Sequence, residues 1–277
     1  MRLVTLRRED GSTRAGRVEG AEVVELPFED VGALLWHHPD WERVAAEGVG
    51  PSHDLAKANL APPILFPPKI VGVGLNYVSH IQEMGMEPPK HPILFAKYAR
   101  ALTGPRDPIV LPRVSDNVDW EVELAIVIGQ RARHLQPHEA TRAVAGYTII
   151  NDVSVRDWQM RAGQFLSGKT FERSTPLGPA LVTHGDVLYP GELDVKCEVD
   201  GQLMQQGNTS DLLFGIVELV CYLSQIFTLD PGDVIATGTP SGVGAGRKPP
   251  VFLKPGQVVR TSIEGLGELV NPCVSEE

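Results

Sequence analysis

Apolar and polar residues alternate with period two over Arg2–Leu6 and again over Ala15–Leu26, on either side of a Glu9-Asp10-Gly11-Ser12 turn, which predicts a strand hairpin packed on a short helix near Val31–Leu35. Ala61-Pro-Pro-Ile-Leu-Phe-Pro-Pro68 then sets four prolines within seven positions, which rules out regular helix and makes a stiff, extended connector. A boundary is placed there, between a small N-terminal α/β unit, residues 1–66, and a larger unit, residues 67–277. Beyond it, Lys69–Val73 reads as a short strand ending at Gly74, and Val78–Met84 as a helix broken by Met86-Glu-Pro-Pro-Lys90. Further strands are predicted over Val118–Ile128, Ala145–Asn151, Ala180–Thr183, Leu193–Val199, Asp233–Thr237 and Val258–Ile263, separated by turns such as Asp200-Gly201 and Asp230-Pro-Gly-Asp233. Asp211–Ser224 gives the clearest helix, with Leu212, Ile216, Leu219, Val220 and Leu223 on one side and Asp211 placed to cap or charge its start. Many strands and few helices predict an α+β, mainly β, catalytic unit.

Composition supports that picture and narrows the partners. The 28 Gly and 23 Pro among 277 residues supply the turns of a β-rich fold, and a chain of this length buries a sizeable core. A formal net charge of -10 is the wrong sign for a broad phosphate-binding surface, so no nucleic-acid partner is expected. Cys197, Cys221 and Cys273 form no Cys-x-x-Cys pair, which points away from a disulfide framework and a thiolate zinc site and towards a reducing cytoplasm. No run of eighteen apolar residues and no N-terminal signal core is present, so no membrane association is expected.

The candidate chemistry starts at Asp119-Trp-Glu-Val-Glu-Leu-Ala-Ile-Val-Ile-Gly129. On a strand, Glu121 and Glu123 emerge on one face, and flanking apolar residues make that strand half-buried. Two carboxylates so placed raise each other's pKa unless a cation lies between them, and Asp152, at the end of another strand, supplies a third oxygen. An all-oxygen set suits Mg²⁺ or Mn²⁺ better than zinc. A solvated strand face would show the same alternation, so spacing alone leaves both readings open. His80 and Glu83, three apart, share one helix face, where the carboxylate can orient the imidazole as a general base; an exposed His–Glu pair would look the same. Lys169, in the Gly163–Phe171 loop, is either an ordinary surface lysine or a cation for a substrate carboxylate or developing enolate. Thr237-Gly-Thr-Pro-Ser-Gly-Val-Gly-Ala-Gly246 is glycine-rich but lacks the Gly-Lys-Ser/Thr ending of a phosphate loop.

Six ordered segments, VGLNYVSHIQE, PILFAKYARALTGPRDPIVLP, VDWEVELAIVIG, GYTIINDVSVRDWQ, GKTFERSTPLGPALVT and LDPGDVIATGTPSGVG, resemble the fumarylacetoacetate hydrolase family over roughly residues 68–272. Within it, they are most similar to the bacterial branch of acylpyruvate hydrolases, oxaloacetate decarboxylases and hydroxyheptadienedioate isomerases. The resemblance implies a mixed β-roll preceded by a small N-terminal domain, usually in a homodimer. It makes Glu121, Glu123 and Asp152 ligands of Mg²⁺ or Mn²⁺, His80 with Glu83 a water-activating dyad, and Lys169 a substrate-contacting cation. It places Tyr77, Arg156, Gln159 and Thr239 against substrate and makes His80–Pro89 a lid. Asn76 stands where the tyrosine-catabolism enzyme has a further carboxylate ligand, which implies a three-carboxylate metal site and a substrate other than fumarylacetoacetate. The activity implied is cleavage of a 2,4-dioxo acid of the acylpyruvate type to pyruvate and a carboxylic acid. Oxaloacetate decarboxylation and hydroxyheptadienedioate isomerisation or tautomerisation are the alternatives; a non-catalytic ligand-binding relative is the alternative of another class.

Overall fold

The computed structural model describes residues 1–277. A twelve-stranded mixed sheet crosses the molecule in the order Ser52–Asp54, Glu22–Glu25, Thr13–Glu19, Arg2–Arg7, Thr175–Thr183, Val144–Asn151, Val122–Ile128, Val234–Ala236, Ile70–Gly74 and Ile93–Lys97, with Leu60–Ala61 and Leu102–Thr103 pairing off this path. The N-terminal strands are continuous with the rest, because Arg2 pairs with Val182 and Leu3 with Leu181. A five-stranded sheet, from Gln202–Asn208 through Asp194–Val199, Val258–Ile263 and Gly267–Ser275 to Ile109–Leu111, packs against one face.

Val122–Ile128 is buried along its whole length, since both faces of the large sheet are covered. Val122, Leu124, Ile126 and Ile128 enter the core shared with the five-stranded sheet. Ala125 and Val127 turn to a second core containing Leu3, Leu26, Leu34 and Leu35 of the N-terminal segment. The fold is therefore mainly β, as the strand pattern predicts, with mixed sheets, as the family resemblance implies. No helix is long and apolar enough to cross a membrane.

Three differences from the expected elements have local causes. The stretch Ala15–Leu26 divides at Gly20, whose φ of +60° turns the chain into a third strand. The expected strand Val118–Ile128 is interrupted at Trp120-Glu121: Val118–Asp119 pairs with Ser154–Val155, and only Val122–Ile128 joins the large sheet. The helix expected from Asp211 starts at Ile216, because residues 212–214 are held by the Asn76-Tyr77 segment, with Phe214 N–H donating to Asn76 Oδ1 at 2.8 Å and Tyr77 bridging to Leu212. Asp211 accepts instead from the Ser79 N–H at 3.0 Å and so caps the helix Val78–Glu83.

Candidate active site

The pairing of Val122 with Asn151 brings the starts of the site together. Asn151 Oδ1 accepts the Glu121 N–H at 3.0 Å, and the Glu121 carbonyl accepts the Asp152 N–H at 2.8 Å. Glu121 thus lies at a strand break rather than within a strand, and two hydrogen bonds with the adjacent Asn151-Asp152 segment fix it. Glu123, one residue into the strand, receives the Gly238 N–H on Oε2 at 2.8 Å. The result is a buried cluster in which ligand atoms of Glu121, Glu123 and Asp152 lie within 4.8 Å of one another.

Cations crowd this cluster. Lys169 Nζ donates to Glu121 Oε2 and to Asp152 Oδ2, both at 2.6 Å, and Lys97 Nζ donates to Asp152 Oδ1 at 2.6 Å. Arg156 Nη2 makes an ion-pair contact with Glu121 Oε1 at 2.7 Å, while its Nε donates to Asp119 Oδ2 at 2.8 Å. Burial pushes Glu121 up, but Lys169 and Arg156 outweigh it and hold this carboxyl well below its usual range. Glu123 moves the other way: burial raises it, and the Asp152 and Glu121 charges raise it further. Burial pushes the Lys97 ammonium down despite Asp152, whereas Lys169 is held up by Asp152 and Glu121 against its burial.

These residues fit a divalent cation. The donors are all carboxylate oxygens, and each oxygen has two lone pairs, so one hydrogen bond to lysine leaves capacity for a metal. Glu123, raised by its burial and by the Asp152 and Glu121 charges, is a carboxyl whose charged form a cation would stabilise. Binding must displace the Glu123 proton, so Mn²⁺ affinity is expected to rise as pH climbs above the usual carboxylate range. Isothermal titrations in buffers of differing ionisation enthalpy check this: the expected result is proton release on binding, and pH-independent affinity without release would contradict it.

Beside the cluster, a cavity of about 320 Å³ is lined by the polar residues His80, Glu121, Glu123, Arg156, Gln159, Lys169 and Thr239 and by the apolar Phe95 and Phe165, with the exposed Met84, Met86 and Met160 at its mouth. Leu75 in its wall has a φ of +53°, a strained value for a branched side chain and one that marks this turn as constrained by its surroundings. His80 Nδ1 lies 3.0 Å from Glu83 Oε2, and Glu83 Oε1 receives the Gly242 N–H at 2.8 Å. Burial raises the Glu83 carboxyl, but these two contacts bring it below its ordinary range, so it is ionised and Nδ1 is the donor. In the neutral ring Nε2 of His80 is then the acceptor.

Of the expected substrate contacts, Arg156, Gln159 and Thr239 line the cavity and Tyr77 does not. Tyr77 is fully buried, and its bridge to Leu212 ties it into the structure behind the site. Asn76 is spent structurally: its amide donates to the carbonyls of Phe214 and Thr237. Two supporting residues escaped the sequence reading. Gln205 accepts the Val122 N–H at 3.1 Å and donates to Thr239 Oγ1 at 2.7 Å, while Thr239 Oγ1 donates to the Val122 carbonyl at 2.9 Å. The backbone of the residue between the two glutamates is thus closed by side chains. Lys97 is the other; it lies in the Pro92–Pro112 stretch, where nothing in its spacing sets it apart. Lys97→Met leaves buried Asp152 short of a partner, so metal-free stability is expected to fall by roughly 3 kcal/mol. Thermal melts should show part of this recovered by Mn²⁺; an unchanged metal-free melt would contradict the role.

The sequence profile described as Fumarylacetoacetate (FAA) hydrolase C-terminal matches residues 69–274. Oxaloacetate tautomerase FAHD2A, a mitochondrial protein of Homo sapiens, is 50% identical over 214 residues, 76% of this chain and 68% of its own length. The crystal structure of 5-carboxymethyl-2-hydroxymuconate delta-isomerase from Mycobacterium smegmatis superposes with a TM-score of 0.82 at 38% identity, covering 100% of both chains. Maleylpyruvate hydrolase from Sphingobium sp. SYK-6, solved with manganese(II) and pyruvate, gives a TM-score of 0.81 at 30% identity, again over 100% of both chains.

Proposed function

Because the chain belongs to the fumarylacetoacetate hydrolase family, whose profile spans most of it, we propose that it is a divalent-metal-dependent tautomerase that moves a proton between oxygen and carbon in a short 2-oxo acid, with oxaloacetate as the substrate. The observation that carries this reading is a single imidazole, His80, on the wall of the cavity that Glu121 and Glu123 of the carboxylate cluster also line. One proton acceptor beside one centre that stabilises an oxyanion is what enol–keto exchange requires. Relatives half-identical to the chain are oxaloacetate tautomerases, which favours this reaction over others of the family.

Mg²⁺ or Mn²⁺ held by Glu121, Glu123 and Asp152 would supply Lewis acidity that stabilises negative charge on the substrate's 2-oxo oxygen. His80 Nε2 takes the proton from one position and returns it to the other, and Glu83 holds the ring in that tautomer and offsets the charge it gains. Lys169 adds a fixed positive charge at the cavity floor, and Arg156 and Gln159 stand on its wall to orient the substrate carboxylate. Met84, Met86 and Met160 form an apolar mouth whose closure would exclude water.

A second reading, hydrolysis of an acylpyruvate, is favoured by the same dyad used to activate water and by the likeness to maleylpyruvate hydrolase. Stopped-flow absorbance of enol-oxaloacetate, run beside lactate dehydrogenase detection of pyruvate, separates the two. Metal-dependent loss of the enol without matching pyruvate is expected; rapid pyruvate release from acetylpyruvate with no acceleration of enol loss would leave hydrolysis in its place. The reading includes a homodimer, supported by the apolar groove of Ile93, Leu94, Phe95 and Phe227 along the edge strand Ile93–Lys97. A monomeric mass by sedimentation equilibrium would exclude it.

A further inference from the structure

The glycine-rich segment Thr237–Gly246 touches three different parts of the site through its backbone. Gly238 N–H donates to Glu123, Gly242 N–H to Glu83, and the N–H groups of Gly244 and Ala245 to Asp119 at 2.7 and 2.9 Å. Asp119 in turn holds Arg156. One loop therefore sets the positions of a candidate ligand, the partner of the candidate base and the partner of a candidate substrate contact.

Gly246 has a separate role in this arrangement. A Cβ at Gly246 would stand 2.8 Å from Glu83 Cδ, 2.9 Å from its Oε1 and 3.0 Å from its Cγ. The missing side chain is the slot that the Glu83 carboxylate fills. The neighbouring glycines differ in what they avoid. A Cβ at Gly242 would meet the Met204 carbonyl at 2.1 Å, with φ at +103°, and one at Gly244 would meet the Val251 carbonyl at 1.9 Å. Both clashes fall on backbone, so both substitutions break the loop. At Gly246 the clash falls on the end of a flexible side chain and φ is not in the left-handed region, so the loop stays and Glu83 moves.

We propose that Gly246 is a positioning residue for the proton-transfer dyad: with the Gly242 N–H it fixes the Glu83 carboxylate against His80 Nδ1, and through it keeps His80 Nε2 as the acceptor facing the cavity. The inference rests on the reading of His80 as the base. Gly246→Ala swings Glu83 out of its slot and leaves the imidazole free to rotate and change tautomer, while Glu121, Glu123 and Asp152 keep their places.

The test is a double-mutant cycle of Gly246→Ala and Glu83→Ala on the full chain, read by kcat and KM for enol-oxaloacetate, by Mn²⁺ affinity, and by the imidazole ¹H–¹⁵N spectrum of the metal-free protein. Each single variant is expected to lose about tenfold or more in kcat, the scale of removing a group that orients an active-site ligand, with Mn²⁺ affinity unchanged. Both should lose the His80 Nδ1–H signal. The double variant should match Glu83→Ala alone, because the shortened side chain vacates the slot. A wild-type kcat and imidazole spectrum in Gly246→Ala, or losses that multiply in the double variant, would overturn the proposal. If Gly246→Ala does not fold, the double variant, which has room for the methyl, decides: any loss beyond that of Glu83→Ala refutes it. Full activity in His80→Ala would sink the reading of the base instead, and the imidazole spectrum of Gly246→Ala would still judge the positioning role.

Discussion

Glu123→Gln is expected to reduce Mn²⁺ affinity by at least ~100-fold, since even partners outside the ligand shell cost 10–100-fold, and to remove turnover with it. The amide keeps the volume of the carboxyl and can still accept the Gly238 N–H, so the loss is one of charge rather than of packing. Metal-free stability should respond in the opposite sense. Burial, Asp152 and Glu121 raise the Glu123 carboxyl, so the folded chain binds more protons there than the unfolded chain does, and Glu123 costs the wild type stability as pH rises above the ordinary carboxylate range. Glutamine does not titrate and escapes that cost. The variant's metal-free melting temperature should therefore equal or exceed that of the wild type, with the gap widening towards alkaline pH, while the Mn²⁺-induced rise disappears. Melts with and without Mn²⁺ across pH check both halves; a variant destabilised without metal and still stabilised by Mn²⁺ would show that the cluster is a structural ion network.

His80→Ala is expected to lower kcat for enol–keto exchange by about 10²–10⁴-fold, the usual worth of a positioned acid–base group, with KM and Mn²⁺ affinity little changed. His80 lines the cavity and is no member of the carboxylate cluster, so its loss separates proton transfer from binding. Any slow decarboxylation of oxaloacetate should survive, because breaking that carbon–carbon bond needs charge stabilisation at the oxygen and no base at carbon. Equal losses in both reactions, or a raised KM alone, would place His80 in substrate binding.

Much of the site could be seen in the chain because its parts are short-range patterns. His80 and Glu83 fall on one helix face, so the helix period brings them together, and Glu121 and Glu123 flank Val122 closely enough in sequence to reach one centre although Glu121 stands just outside the strand. Their convergence with Asp152, Lys169 and Arg156 came from ordered motifs and not from any local rule, since those residues meet only through pairing of distant strands. What escaped is what depends on tertiary direction. Lys97 is the last residue of a strand whose other positions are partly or fully exposed, and nothing in Ile93–Lys97 tells which way its ammonium turns. Gln205 sits in a mostly polar segment without clear alternation, Gln202–Asn208, and is set apart only by its burial. Tyr77 adjoins the motif but turns into the core, because Asn76 anchors the chain to Phe214 and Thr237. The end of the helix at Ile226 lies close to the apolar pattern, whereas its start was misplaced because Asp211 caps a different helix.

Proton transfer at a metal-dependent site is tested by the rate at which enol-oxaloacetate becomes the keto form, with wild-type protein and Mn²⁺ against the same mixture without protein. Acceleration that is saturable, abolished by a chelator and restored by Mn²⁺ is predicted. A rate equal to that of Mn²⁺ alone would rule out catalysis of enol–keto exchange by this site.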